Sequence, residues 1–251
     1  MKKGIPVGLR RHAPLYVLAG VIVGLGSFLA WTARQAGDPS RASEPFRVGF
    51  QHSPPAQFVS KEGAPSGPAV EIFSEACQRL HIPITWVHAP EGPESSLRSG
   101  RVDLWPLLGD LPERRKFLYI SAPWTATSFW MVTLDARKLA SEKDRAGLSV
   151  GYGNINLDVR LANQNFSGAR LVAFPVSLDA LTEVCLGRID AALISGSNAH
   201  GEAIRHIQAC ADKQLRFCFL PHGQISLGVG ASRVRPDAAR AADAIRKELA
   251  S

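Results

Sequence analysis

Residues 97–104 of the chain read LRSGRVDL, and residues 185–192 read CLGRIDAA. In both stretches an apolar helical pattern stops at a glycine, Gly100 or Gly187, which is followed by an arginine, an apolar residue and an aspartate. Glycine suits the left-handed conformation that ends many helices, and the apolar residue after it can then turn into a buried strand. The two stretches therefore predict one helix-to-strand unit in each half of the chain, although so short a match does not establish a duplication.

The segments around these stretches alternate between short apolar strands and amphipathic helices, which is the pattern of an α/β protein. Gly67 and Pro68 open one helix, and Ser177 is expected to cap another with its side chain. The apolar fraction of 45% is typical of a packed globular protein. The predicted strands are residues 46–50, 82–87, 102–108, 148–151 and 191–194.

The N-terminal part of the sequence has the pattern of a membrane-targeting segment followed by a linker. Residues 1–12 form a basic flank, and the uncharged residues 13–33 would cover about 30 Å of hydrocarbon as a helix. We predict one N-terminal transmembrane helix, with a cleaved signal as the alternative, because the available cleavage positions lack the usual small residues. The basic flank would stay in the cytoplasm, which places everything after the linker 34–45 outside. The expected location is the inner membrane with a periplasmic domain, or the periplasm itself after cleavage.

The charge and the cysteines exclude several classes of function. Of the 29 Lys and Arg, four lie in the basic flank, and the others nearly balance the 22 Asp and Glu without a basic run. Nucleic acid is therefore not an expected partner. The four cysteines form no Cys-x-x-Cys pair, so we predict no metal and no cofactor. Candidate disulfides are Cys185–Cys210 and Cys210–Cys218, and Cys77 lies on an apolar helix face as a candidate buried thiol.

Several short phrases, taken in order along the chain, resemble family 3 of the extracellular solute-binding proteins, the periplasmic receptors that usually serve polar amino acid transporters. Each phrase is weak by itself, but the ordered set covers the chain from about Phe46 to its last helix. The matching phrases are residues 46–49 with Pro54 and Pro55, 66–72, 97–103, 112–116, 120–124 and 187–191.

The resemblance implies a two-lobed, periplasmic-binding-protein-like fold of type II, in which the lobes close on a ligand by a hinge. Lobe 1 would consist of residues 46–126 and 222–251, and lobe 2 of residues 127–221. The chain would cross between the lobes after Trp124 and again before a strand at residues 225–230.

Arg114 aligns with the arginine that family members use to bind a ligand carboxylate, a task that suits its planar fork of donors. Two partner positions depart from the family pattern. Five residues before the arginine, where a hydroxyl often binds the same carboxylate, this chain has Gly109, and seven residues before the arginine it has Leu107. The acidic residue that usually holds a ligand's ammonium group is replaced by Ser195. A serine cannot neutralise a buried charge, so the resemblance implies a small carboxylate-bearing solute and disfavours an ordinary α-amino acid.

Other cleft candidates are polar or aromatic residues near the ends of predicted strands. Gln51 follows the first strand, and Trp105 and Asp110 flank the strand before Arg114. Asn154 and Asn156 lie at a helix start, where backbone N–H groups favour an anion. Packing, solvation and helix capping are the ordinary alternatives for these residues.

Three functions fit the resemblance. The first is a receptor for an ABC permease, and the second is the sensory ectodomain of a membrane kinase or cyclase. The third, a dehydratase or lyase on the same scaffold, is the least favoured because Asp110 and Glu91, the candidate acids, belong to no catalytic motif. We therefore predict a binding protein and no catalytic residue. The family usually continues beyond its last helix, whereas this sequence ends there at Ser251, so we expect either a shortened protein or a piece of a longer sensor.

Overall fold

The computed structural model describes residues 44–135, 145–199, 202–220 and 223–251. The predicted basic flank 1–12 and membrane segment 13–33 lie outside the described residues, as does the linker 34–45 except for its last two positions. Pro45–Ser251 forms one compact unit. Among the residues that the structure describes, no helix is both long enough and apolar enough to cross a membrane.

The first sheet combines parallel and antiparallel strands. Its strands are β1 (Phe46–Phe50), β4 (Ile84–His88), β5 (Leu104–Gly109), β6 (Tyr119–Ile120), β7 (Thr125–Thr127) and β13 (Ile225–Ala231). They follow the order β4-β1-β5-β13-β6, and β7 also pairs with β13. β1 is parallel to β4 and β5, whereas β13 runs antiparallel to its neighbours. β4 begins at Ile84 and not at residue 82, because Pro83 has no backbone N–H to donate to a neighbouring strand.

The second sheet has five strands in the order β10-β9-β11-β8-β12. These are β8 (Phe129–Thr133), β9 (Ser149–Gly153), β10 (Arg170–Phe174), β11 (Ala191–Ser195) and β12 (Arg216–Phe219). β9 is parallel to β10 and β11, and β8 is antiparallel to β11 and β12. A separate short pair is formed by β2 (Phe58–Val59) and β3 (Pro65–Ser66).

Helices pack on both sheets and bury their apolar stripes there. They are α1 (Pro68–Arg79), α2 (Pro93–Arg98), α3 (Pro112–Arg115), α4 (Asn156–Asn165), α5 (Ser177–Cys185), α6 (Gly196–Ala199) and α7 (Ala238–Leu249). Phe73 of α1 and Ile245 of α7 are fully buried in the core of the first sheet. Leu181 of α5 is fully buried in a core of the second. The α/β class predicted from the sequence is therefore confirmed.

Residues 97–104 and 185–192 occupy equivalent places in the two sheets. Gly100 and Gly187 have φ angles of 70° and 72°, as the helix-ending prediction requires. Asp103 accepts a hydrogen bond from the backbone N–H of Arg47 at 2.9 Å, and Asp190 accepts one from that of Ser149 at 2.8 Å. Each aspartate thus joins its own segment to a neighbouring strand, which is a structural role.

The chain passes from the first sheet to the second between β7 and β8, and it returns between β12 and β13. Cys185 at the end of α5 forms a disulfide with Cys210, which is the first of the two pairings considered from the sequence. Cys77 is a buried free thiol, and Cys218 is also free.

Candidate ligand-binding site

A cavity of about 140 Å³ is lined by residues from both sheets. Several of the residues that line it lie at the carboxyl ends of strands, where ligands commonly bind in open α/β sheets. Gln51 follows β1, Gly109 ends β5, and Ser195 ends β11. The polar residues of the lining are Gln51, Ser53, Gln57, Arg114, Thr127, Asn156, Asp158, Ser177, Ser195, Ser197 and Asn198.

Arg114 lies at this cavity although its side chain is only 4% exposed. Its Nε donates to Oε1 of Glu94 at 2.8 Å, and its Nη1 donates to the carbonyl oxygen of Gly109 at 3.1 Å. Nη2 has no hydrogen-bond partner in the part of the chain that the structure describes. The guanidinium is therefore fixed by two contacts and keeps donors available for a ligand.

Gly109 makes room for this guanidinium. A Cβ at position 109 would lie 2.9 Å from Nη1 of Arg114 and 3.3 Å from Cγ2 of Ile225. A side chain there would require the end of the arginine side chain to shift, so Gly109 leaves room for the guanidinium in its present position.

The neighbouring cation has a different environment. Arg115 donates from Nε and Nη2 to the two carboxylate oxygens of Asp110, at 2.6 and 2.9 Å, and its side chain is 45% exposed. Neither residue lines the cavity. Arg114 is thus the buried member of the cluster Arg114, Arg115 and Lys116.

The structure brings together seven of the nine residues proposed from the sequence. The cavity is lined by Gln51, Trp105, Leu107, Gly109, Arg114, Asn156 and Ser195. Asp110 and Asn154 do not line it.

Asp158 is a lining residue that the sequence analysis did not consider. It is 5% exposed, and burial raises the pKa of its carboxyl to about 7, against a smaller lowering by the backbone N–H of Gly153. A Cβ at position 153 would lie 2.7 Å from Oδ2, so this glycine makes room for the carboxylate. Asp158 forms no ion pair with any described residue. A sequence signal did exist, because Asp158 shares the buried stripe of α4 with Leu161 and Ala162 at helical spacing.

Two buried amide oxygens in the cavity lining also lack partners. Oδ1 of Asn198 and Oε1 of Gln57 have no hydrogen bond among the described residues. Nδ2 of Asn198 donates to Oγ of Ser177 at 3.0 Å. The prediction that Ser177 caps α5 with its side chain was wrong, since the structure shows no such capping bond and the hydroxyl holds Asn198 instead. Buried acceptors without partners are uncommon in folded proteins and mark places where a ligand's donors can bind.

The described residues contain no group of three or more His, Cys, Asp or Glu placed to hold a metal ion. Glu91, considered above as an acid, accepts hydrogen bonds from Ser96 and Arg101. It does not line the cavity.

Comparison with known proteins gives a family match over most of the chain. A family model described as bacterial extracellular solute-binding proteins, family 3, matches residues 46–251. The resemblance found in the sequence is thereby confirmed. No curated protein matches the chain.

Solved structures share the fold at low sequence identity. The arginine-bound form of truncated ArgBP from T. maritima is 21% identical, with a TM-score of 0.66 over 83% of this chain and 98% of that one. A histidine kinase sensor domain with similarity to periplasmic binding proteins is 20% identical, with a TM-score of 0.68 over 82% and 89%. An ancestral amino acid-binding protein, a precursor of cyclohexadienyl dehydratase, is 19% identical, with a TM-score of 0.65 over 82% and 87%. These similarities show a periplasmic-binding-protein-like fold.

Proposed function

The chain belongs to the bacterial extracellular solute-binding proteins of family 3, and on that premise we propose that it binds a small carboxylate-bearing solute in the cavity between its two sheets. Because the family is extracellular, we expect this domain to function outside the cytoplasm. The observation that carries the proposal is Arg114, a buried guanidinium at the cavity whose Nη2 has no hydrogen-bond partner among the described residues. A ligand carboxylate would accept from Nη2 and from the second N–H of Nη1.

Binding of this solute could serve either of two biological roles. As a transport receptor, the protein would deliver the solute to an ABC permease. As a sensory ectodomain, it would pass ligand binding to a signalling domain, and its similarity to a histidine kinase sensor domain favours this second use. Both uses fit attachment to the membrane through residues 13–33. Lobe 1 would be residues 46–126 and 222–251, and lobe 2 residues 127–221, with a hinge at the two crossings.

We propose binding and not catalysis. Asp110 and Glu91 are engaged in ion pairs with Arg115 and Arg101 and lie away from the cavity. Neither is positioned to act as an acid or base on a molecule bound beside Arg114.

The proposal is tested by screening the purified full chain against the standard L-amino acids and simple mono- and dicarboxylates, using thermal shift and then calorimetry. A ligand at 100 times its Kd adds about 2.7 kcal/mol to the free energy of unfolding. Arg114→Ala is expected to abolish this shift. Arg114→Lys should keep part of it, because lysine retains the charge but loses the planar fork. The ligand should be recovered chemically unchanged.

Arg115→Gln is the matched control, because it removes a cation from the same helical turn outside the cavity. It should leave the ligand shift intact. Gly109→Ala tests the same contact with the guanidinium still present, and overpacking against Nη1 should weaken binding by about tenfold. A full ligand shift in Arg114→Ala would overturn the carboxylate anchor, and chemical turnover of the ligand would overturn the binding role.

A further inference from the structure

Three segments that are far apart in the chain meet on one surface beside the first sheet. They are residues 97–100, 115–118 and 232–235. Oγ of Ser232 donates to the carbonyl oxygen of Leu97 at 2.6 Å, and Nη2 of Arg233 donates to the carbonyl oxygen of Arg115 at 3.0 Å. These bonds hold the segments against one another, so that their side chains share one surface.

This surface carries three exposed cations that form no ion pair with any described residue, namely Arg98, Lys116 and Arg233. The guanidinium of Arg98 lies over the ring of Phe117, 4.7 Å from its centroid. The other charges of the three segments are paired, Arg115 with Asp110 and Arg235 with Asp103 and Asp237. We call Arg98, Lys116 and Arg233 the basic surface. Because the three cations are not adjacent in the sequence, no basic run predicts it.

The chain enters the domain at the edge of the basic surface. Nη1 of Arg235 donates to the carbonyl oxygen of Pro45 at 3.3 Å, and its guanidinium lies 3.8 Å from the centroid of the Phe46 ring. Arg235 is buried, so this contact is part of the packed fold. Since Cα atoms two residues apart lie within about 7.6 Å of each other, Arg233 is close to the point where the linker joins the domain.

We propose that the basic surface binds the anionic headgroups of the membrane to which residues 13–33 attach the chain. This inference rests on that attachment, which belongs to the proposed function. The linker 34–45 has 12 residues. Its small and polar composition is typical of a flexible chain, with a length of about 40 Å when fully extended and a root-mean-square length of about 20 Å. The linker would therefore keep the basic surface near the bilayer.

The charge of this surface and the short linker favour the same partner. A Lys or Arg side chain is attracted to an anionic lipid surface within about one Debye length. A short flexible linker gives an effective concentration of the order of millimolar, so a few weak contacts suffice for a tethered domain. Val234 follows Arg233 and is 54% exposed, which gives the surface an apolar side chain for the boundary between headgroups and acyl chains. The expected partner is a lipid with a net negative phosphodiester headgroup, such as phosphatidylglycerol.

The experiment uses the full chain in nanodiscs of phosphatidylcholine, either alone or with about 30% phosphatidylglycerol. Amide hydrogen exchange is measured by mass spectrometry in peptides that cover the three segments. The triple variant Arg98→Gln/Lys116→Gln/Arg233→Gln removes the basic surface. The matched control is Arg170→Gln/Lys213→Gln/Arg216→Gln, which removes three exposed cations from the half of the domain around the second sheet.

In wild type, exchange in the three segments should slow by at least about threefold in the discs with phosphatidylglycerol at about 0.1 M salt. At about 1 M salt it should return to the rate found in phosphatidylcholine, because the Debye length falls from about 10 Å to about 3 Å. The triple variant should show no slowing in either lipid, and the control should behave as wild type does. Lys116→Glu serves if the triple variant does not fold, because the Lys116 side chain is exposed, and it should lose most of the slowing.

Slowing that is equal in both lipids, that survives about 1 M salt, or that persists in the triple variant would overturn the binding of headgroups by this surface. If wild type shows no slowing while the chain stays in the discs, the surface is overturned and the membrane attachment stands. If the chain does not stay with the discs, the attachment through residues 13–33 fails. Sedimentation of the same protein with vesicles of the two compositions then decides the surface. Binding only to the anionic vesicles, and its loss in the triple variant, would support the surface, whereas no binding would overturn it.

Discussion

Asp158 should make the stability of the protein depend on pH, because burial raises the pKa of its carboxyl from 3.8 to about 7. A carboxyl whose pKa is raised in the folded state binds more protons folded than unfolded between these values. The free energy of unfolding of the empty protein therefore falls as pH rises from about 4 to about 7, and this contribution is level above that range.

We expect the empty protein to become more stable relative to Asp158→Asn as pH falls from about 7 toward about 4. Thermal melts between pH 5 and 8.5 measure this trend, and the difference between wild type and Asp158→Asn isolates this residue from other titrating groups. Parallel pH profiles in the two proteins would contradict the prediction.

Other charged or titratable groups lie on the elements around Asp158, and Arg114 lines the same cavity. His52 lines a small cavity together with Asp158, and its Nδ1 accepts from the backbone N–H of Val59. Tyr152 is on β9 and Arg170 on β10, while Arg160, on α4 itself, pairs with Glu113. His52→Gln in the same pH series separates any contribution of the imidazole from that of Asp158.

At the scale of elements, the disulfide between Cys185 and Cys210 ties the end of α5 to the short helical turn Gln208–Cys210. Ser177, at the other end of α5, lines the cavity and holds Asn198. The disulfide closes a sequence separation of 25 residues, which corresponds to about 3 kcal/mol of stability in the chain-entropy description.

The double variant Cys185→Ala/Cys210→Ala is therefore expected to lose about 3 kcal/mol of unfolding free energy in denaturant titrations. A reducing agent should destabilise the wild type but leave the double variant unchanged. Cys218→Ser is the control, because this cysteine is free and should not alter the response to reduction. Equal stability of wild type and double variant would show that the bond does not constrain the unfolded chain.

At the scale of the whole molecule, two crossings connect the sheets, and the cavity takes residues from both. Arg114 follows β5 of the first sheet, whereas Asp158 and Asn198 follow β9 and β11 of the second. A ligand that bridges these groups has differential affinity for an arrangement in which the sheets are close, so it should shift the population toward that arrangement.

We expect the radius of gyration of the full chain, measured by small-angle X-ray scattering, to decrease when a saturating amino acid is added. Arg114→Ala, which loses one end of the bridge, should show no decrease at the same ligand concentration. Identical scattering from wild type with and without a bound ligand would argue against closure.

The sequence by itself determined the order of elements, because helix-ending glycines, strand patterns and the phrases around residues 97–103 and 187–191 are local signals. It also identified Arg114, whose position relative to those phrases is fixed along the chain. It could not show that Arg114 is buried while Arg115 is exposed, because burial is decided by how the helix α3 packs against Gly109 and Glu94.

Only the tertiary structure decided the composition of the cavity and the choice between Cys210 pairings. Asp158 looks like any acid in a first helical turn until the fold removes it from water, and the orphan oxygen of Asn198 appears only once Ser177 takes its amide nitrogen. Desolvation and missing partners depend on contacts between residues far apart in sequence. A local pattern therefore shows which groups are present, and the packing of the two sheets determines which of them face a ligand.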